Sequence, residues 1–185
     1  MIENLVLRWA MTLAFGWAGA SHLKGLVAEG ALAHRICEAA HGVMCAAMIA
    51  MAWPWGVHLP LWPQAGLFAC AGAWFTAQAL VIVLSGALPM RVATIPASHA
   101  VGMFSMVWML VAMQRDAHDH TGHAAPDWPV GFPASLLGLL SVVIAGRWLV
   151  VAVAPGSDGR VVLNPDPAGH AVLGIGMATM LFSLR

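Results

Sequence analysis

The sequence predicts an all-α fold, a polytopic membrane protein of six transmembrane helices. Of its 185 residues, 61% are hydrophobic and only 9% are charged, whereas soluble domains carry roughly 25% charged residues. The mean hydropathy is +0.81. So few polar side chains cannot cover a soluble core, and lipid is therefore the expected solvent. The net charge of zero gives no indication of a nucleic-acid partner.

Six apolar segments are each long enough to cross a bilayer, which takes roughly 20 residues. They lie near residues 5–24, 32–53, 64–86, 95–114, 131–153 and 167–184. The connections between them are short and rich in proline and glycine, or polar, as turns and loops are. Nothing resembles a linker between domains. We therefore expect one transmembrane domain covering residues 1–185, in a bacterial inner (cell) membrane.

The first segment could be mistaken for a signal peptide, because residues 18–20 (Ala-Gly-Ala) resemble a cleavage site. Glu3 lies where a signal peptide would be basic, so we expect a retained span. Two later spans have a proline three residues before a histidine, namely Pro96 and Pro167. Proline suits the first turn of a helix, and this predicts that helices 4 and 6 begin there.

The most informative feature is an internal repeat on the even-numbered helices. Each of these helices carries His-x6-Met-x2-Met, with methionines seven and ten residues after the histidine. Offsets of 0, 7 and 10 lie on one face of an α-helix, at about 0°, 20° and 80° around its axis. The nine residues are His41, Met48, Met51, His99, Met106, Met109, His170, Met177 and Met180.

The repeat predicts three helical hairpins in a pseudo-threefold arrangement, with helices 2, 4 and 6 facing one another. Even-numbered spans of one chain run in the same direction, so equivalent residues would form rings. The three histidines would make one ring, with a first methionine ring about 10 Å further along and a second about 4.5 Å beyond it. The rings exist only if all three faces meet at a common axis.

The types of residue in these rings indicate copper. Thioethers are soft, neutral ligands that select Cu(I), whereas imidazole also binds Cu(II), Zn, Ni and Fe. Neutral ligands leave the charge of the metal uncompensated in lipid, which favours a monovalent ion over a divalent one. We therefore predict a Cu(I) site. The alternative is simple packing, because methionine fills irregular gaps in apolar helices.

Polar residues outside the repeat are candidates for a supporting role. His22 and His34 flank the first loop and could extend the site. Glu38 could orient an imidazole, or it could pair with Arg35 one turn away. The loop after helix 4 contains further histidines that could capture metal or simply be solvated, His118, His120 and His123.

The segment from Leu7 to Phe15, followed by three even-numbered helices rich in histidine and methionine, resembles a family of actinobacterial membrane proteins, domain of unknown function 5134. The likeness covers nearly the whole chain. It implies a membrane location and a helical fold, and no assigned activity comes with it.

The layout of the rings also resembles the CTR family of eukaryotic copper transporters, which are trimers of three-helix subunits with methionine rings along a central path. This resemblance concerns only the layout. The chain lacks the Met-x3-Met pair followed by Gly-x3-Gly of that family, and it would form the threefold within one polypeptide. Copper transport is what the layout implies.

Three functions remain open from the sequence. The first is a Cu(I)-binding membrane protein that transports copper or hands it over through the methionine rings and the histidine ring. The second is a membrane copper enzyme of the oxidase or oxygenase kind, in which a three-histidine site keeps an open position. The third is a b-type haem protein that uses two of the histidines as axial ligands.

Overall fold

The computed structural model describes residues 4–28, 31–119, 131–153 and 164–183, and these residues form six α-helices and no strand. A short 3-10 helix, Pro54–His58, follows the second α-helix. The all-helical prediction is confirmed. The helices are α1 (Leu5–Val27), α2 (Leu32–Ala52), α3 (Leu61–Ser85), α4 (Met90–Asp119), α5 (Gly131–Ala152) and α6 (Pro165–Phe182).

The helix ends follow local sequence signals. Asn4 caps α1, since its side chain accepts hydrogen bonds from the backbone N–H groups of Val6 and Leu7, and Asn164 caps α6 in the same way at Asp166. Asparagine is among the strongest residues at this position. At the other end of a helix, Gly86 follows α3 with φ of 60°, a left-handed conformation that favours glycine.

The start predicted for helix 4 is wrong. The helix begins at Met90, so Pro96 lies inside it. Proline removes one backbone hydrogen bond, but helices in membranes tolerate this where hydroxyl side chains bond nearby backbone groups. Here Thr94 and Ser98 donate to the carbonyls of Arg91 and Ile95. The equivalent proline of α6, Pro167, does lie in the first turn, as predicted.

Consecutive helices pack as three hairpins, α1 with α2, α3 with α4 and α5 with α6. The second helix of each hairpin faces inward. In the most apolar 18-residue stretch of α2 and α4, 44% and 61% of residues are buried, compared with 22% in both α3 and α5. Most residues of α6 are also buried. The predicted arrangement, with even-numbered helices inside, is therefore confirmed.

Four of the described helices are long and apolar enough to cross a membrane, namely α2, α3, α4 and α5. The first helix is less apolar because it contains Arg8, Lys24 and His22. The sixth is 18 residues long and begins with Pro-Asp-Pro. Length and composition make the chain a membrane protein, with α6 shielded largely by its neighbours.

Small residues let α6 approach the helices around it. A side chain at Gly176 would overlap the ring of Phe15 on α1, and one at Gly174 would lie 2.9 Å from the Cβ of Ala145 on α5. Close approach through glycine is typical of helix packing in membranes. These contacts fix α1 and α5 on either side of the inward-facing histidine of α6.

Candidate metal centre

The three histidines of the repeat meet in the interior, each contributed by a different hairpin. The ring centroids of His41 and His99 are 4.6 Å apart, those of His41 and His170 are 4.7 Å apart, and those of His99 and His170 are 5.0 Å apart. His41 and His99 are buried. The faces predicted to share an axis therefore do so at the level of the histidines.

The first helix of each hairpin adds one more ring to this level, placed between two of the repeat histidines. From α3, Phe75 contacts His41 and His99. From α5, Trp148 contacts His99 and His170. The resulting alternation of inner and outer rings has the pseudo-threefold order that the repeat predicts. We call this level the histidine layer.

The third gap in the histidine layer is filled by a histidine. His22 of α1 lies between His41 and His170, with centroid distances of 5.1 and 4.9 Å. Its side chain is 2% exposed, and its Nδ1 lies 2.9 Å from Oε2 of Glu38. A carboxylate is an acceptor, so Nδ1 carries a proton, and in the neutral ring the lone pair is on Nε2. His22 therefore presents a coordinating nitrogen.

A backbone contact assigns the tautomer of His41 in a similar way. Its Nδ1 lies 2.7 Å from the carbonyl oxygen of Cys37, one turn earlier on α2. A carbonyl only accepts, so the proton is on Nδ1 and Nε2 is free to bind a metal. The Cys37 thiol lies 3.6 Å from the same Nδ1. Ligand atoms of Cys37, His41 and His99 all lie within 4.8 Å of one another.

The spacing of the rings suits a single ion. Imidazole nitrogens bind metals such as zinc at about 2 Å, which puts ring centroids about 5–5.5 Å apart in a tetrahedral or trigonal site. The contacting histidine pairs of the layer have centroid separations of 4.6–5.1 Å, close to that range. Two imidazoles on opposite faces of a haem would be more than about 6 Å apart. The geometry favours an ion over a porphyrin between these rings.

The methionines of the repeat are all buried in one apolar cluster. None of the six is more than 7% exposed, and three further methionines, Met11, Met44 and Met103, belong to the same cluster. The prediction that the three methionine faces turn inward is confirmed. Dense packing explains their burial without a metal, so a role as ligands stays a prediction. They are Met48, Met51, Met106, Met109, Met177 and Met180.

Sequence reasoning did not predict that His22 and Cys37 would lie among the candidate ligands. His22 lies outside the repeat, on an odd-numbered helix, and was expected only to extend the site. Glu38 orients an imidazole, as one of its two predicted roles required, but the imidazole belongs to α1. Among the described residues the ion-pair partners of Glu38 are His22 and His34, and not Arg35.

Two other candidates lie away from the histidine layer. His34 is 53% exposed and its Nδ1 is 3.9 Å from Oε1 of Glu38, so it does not enter the layer. The loop histidines His120 and His123 lie outside the described residues, as does the side chain of His118.

An apolar groove of about 380 Å³ opens between α2 and α3 next to the histidine layer. Ile36, Val43 and Trp74 line it, and so does Phe75. Phe75 is itself buried and contacts both His41 and His99. One phenylalanine ring therefore separates the groove from the candidate ligands.

The chain is similar over its whole length to mycobacterial proteins. It is 33% identical to the uncharacterized protein Rv0970 of Mycobacterium tuberculosis and to the uncharacterized protein Mb0995 of Mycobacterium bovis. Each alignment covers 100% of this chain and 98% of the relative. No solved structure matches the chain. Residues 33–184 match the model of one family. That match confirms the resemblance noted in the sequence, and the chain belongs to the family Domain of unknown function (DUF5134).

Proposed function

We propose that this membrane protein binds copper as Cu(I) in the histidine layer and passes it along the methionine faces of α2, α4 and α6. The observation that carries the proposal is the convergence of three equivalent histidines from three hairpins, whose ring centroids lie within 5.0 Å of one another. Ionisable side chains inside a membrane are expensive and mark functional sites. Packing alone does not call for imidazoles at all three positions.

The ligand set supports copper in its reduced state. The sulfurs of the repeat methionines, which lie further along the same helix faces, are soft, and softness favours Cu(I) over Zn, Mg or Ca. The contacting carboxylate, Glu38, supplies one negative charge. One such charge balances a monovalent ion, and an uncompensated divalent charge in this apolar interior would cost more free energy.

The proposed movement of copper is an exchange of thioether and imidazole ligands. The first methionines of the repeat lie two turns beyond the histidines along the helix, about 10 Å away, and the second lie about 4.5 Å further. All six are buried. An ion could be handed between these levels without meeting water, and a bacterial cell membrane is the expected location.

Metal analysis of the purified protein tests the binding step. We expect copper in the wild-type protein and a loss to background when His41, His99 and His170 are all replaced by alanine. His58→Ala is the matched control, because His58 is exposed on the 3-10 helix, away from the layer. A wild-type protein that takes up no Cu(I), or a triple variant with unchanged copper, would contradict the proposal.

Copper uptake into proteoliposomes tests the movement separately. A variant with Met106→Leu and Met109→Leu keeps the apolar volume but removes two thioethers. We expect it to retain copper in the histidine layer and to lose most of the uptake. Met90→Leu serves as the control, since Met90 is 67% exposed. Unchanged uptake in the Met106/Met109 variant would contradict movement along the methionine faces, and a wild-type protein without uptake would restrict the function to binding.

The apolar groove supports a second candidate, a copper enzyme of the membrane. A lipid-soluble hydroquinone in the groove would be separated from His41 and His99 only by Phe75. Its two electrons and two protons could reduce O2 to H2O2 through the copper, leaving the quinone. Oxygen consumption by the copper-loaded protein with a hydroquinone in detergent tests this, and no consumption above that of the triple histidine variant would exclude it.

A further inference from the structure

We propose that His22 is a fourth ligand of the metal and that Glu38 is the residue that positions it. This inference rests on the proposed copper binding and adds two residues from outside the repeat. It makes the centre a four-imidazole site, in which three ligands come from equivalent positions and one from a position with no histidine equivalent.

The ring nitrogen of His22 that does not contact Glu38 faces the helix of a neighbouring ligand. Nε2 is completely buried and has no hydrogen-bond partner in the described part of the chain. Burying a nitrogen with a free lone pair is unfavourable unless it has a partner. The nitrogen lies 3.5 Å from where a Cβ on Gly169 would be, beside His170. It therefore points toward the neighbouring ligand helix.

The contact between Glu38 and His22 depends on a close approach of α1 to α2. A Cβ on Gly25 of α1 would lie only 2.8 Å from Oε2 of Glu38. The absence of a side chain at Gly25 lets the carboxylate of α2 reach across to His22 at 2.9 Å. Histidines that bind metals commonly donate their other N–H to a carboxylate, which fixes the ring and raises the basicity of the ligand.

The three gaps of the histidine layer are filled by different kinds of ring. Two of them hold Phe75 and Trp148, which pack against the histidines and offer no lone pair suited to a metal. The third holds His22 with its carboxylate. A phenylalanine in this gap would satisfy packing, and a histidine there introduces a buried polar group. Metal binding gives that polar group a partner.

X-ray absorption spectroscopy of the Cu(I)-loaded protein counts the ligands directly. We expect four imidazole nitrogens around copper in the wild type and three in His22→Phe, which copies the residue found in the α3 gap. The affinity of His22→Phe, measured by competition with a Cu(I) chelator, should fall at least about 10-fold, since even an outer partner of a ligand contributes 10–100-fold. His34→Phe is the control, because His34 also lies near Glu38 but is half-exposed.

A double-variant cycle tests the positioning role of Glu38. Glu38→Gln alone should weaken copper binding about 10–100-fold. In the His22→Phe background the same change should have almost no further effect, because Glu38 acts through His22. Additive losses in the double variant would overturn the positioning role.

The wild-type spectrum tests the fourth ligand even if His22→Phe does not fold. Three nitrogens in the copper-loaded wild type would overturn the inference and leave the proposed function intact. A wild-type protein that binds no copper would instead overturn the proposed function itself. Four nitrogens in the wild type and three in His22→Phe, with His34→Phe unchanged, would support His22 as the fourth ligand.

Discussion

The histidine layer and the six buried methionines of the repeat, here called the methionine interior, come from the same three-part repeat. They differ in how far packing can explain them. The six repeat methionines belong to one cluster of buried hydrophobic residues. Methionine needs no metal to be stable in such a place. The histidine layer gathers four imidazoles, a carboxylate and a thiol into the same interior.

One level of the repeat is therefore explained by helix packing, and the other indicates a chemical function. In the methionine interior, side chains that fill the available volume account for the repeat. In the histidine layer, the repeated residues carry nitrogen lone pairs that packing does not need. One hairpin also differs from the others, because it adds His22 and Glu38. Packing explains this polar pair, which breaks the pseudo-threefold order, less well than it explains the repeated residues.

The largest expected effect is the loss of copper affinity in His41→Ala. His41 lies within 5.1 Å of the three other rings, so its removal takes away a central ligand. We expect affinity to fall about 1,000-fold, or about 4 kcal/mol, in competition with a Cu(I) chelator. Met106→Leu should change affinity at the histidine layer less than about threefold, because it conserves volume and lies two turns away. Equal losses of copper affinity in His41→Ala and Met106→Leu would show that the histidine layer and the methionine interior do not differ in copper binding.

Met106→Ala should have the next largest effect, and on stability instead of affinity. Met106 is fully buried, and truncation leaves a cavity. In water such a change costs about 2–5 kcal/mol. Lipid is as apolar as the interior, so most of the cost here is lost packing contact, and we expect the lower end, about 2 kcal/mol. Reversible unfolding in mixed micelles measures it. A loss of copper binding without a loss of stability would show that Met106 acts mainly as a ligand.

Much of this fold could be predicted from sequence because its signals are local and periodic. The six apolar segments predicted six helices, and the three-part spacing predicted which faces of α2, α4 and α6 point inward. The error at Pro96 arose because a rule for helix starts in water was applied to a helix whose broken hydrogen bond is tolerated in a membrane.

The sequence did not identify His22 as a ligand, because His22 is not part of the repeat. His22 and Glu38 are 16 residues apart on different helices, and their pairing depends on the close approach of α1 to α2. The glycine that permits it, Gly25, is one of 19 in the chain. A carboxylate in an apolar helix within one turn of a repeat histidine was the available signal, and it identified Glu38 but not its partner.

The smallest expected effect comes from Gly25→Ala, which acts on the histidine layer without removing any polar group. The new methyl group would lie 2.8 Å from Oε2 of Glu38, so the carboxylate must shift and its hydrogen bond to His22 lengthens. We expect copper affinity to fall about 3–10-fold, less than the 10–100-fold for losing such a partner outright, and competition with a Cu(I) chelator measures it. Gly42→Ala on α2 is the control, because a Cβ there meets nothing within 4 Å. If both substitutions leave affinity unchanged, the His22–Glu38 contact does not tune the site, and the layer differs from the methionine interior only in its three repeat histidines.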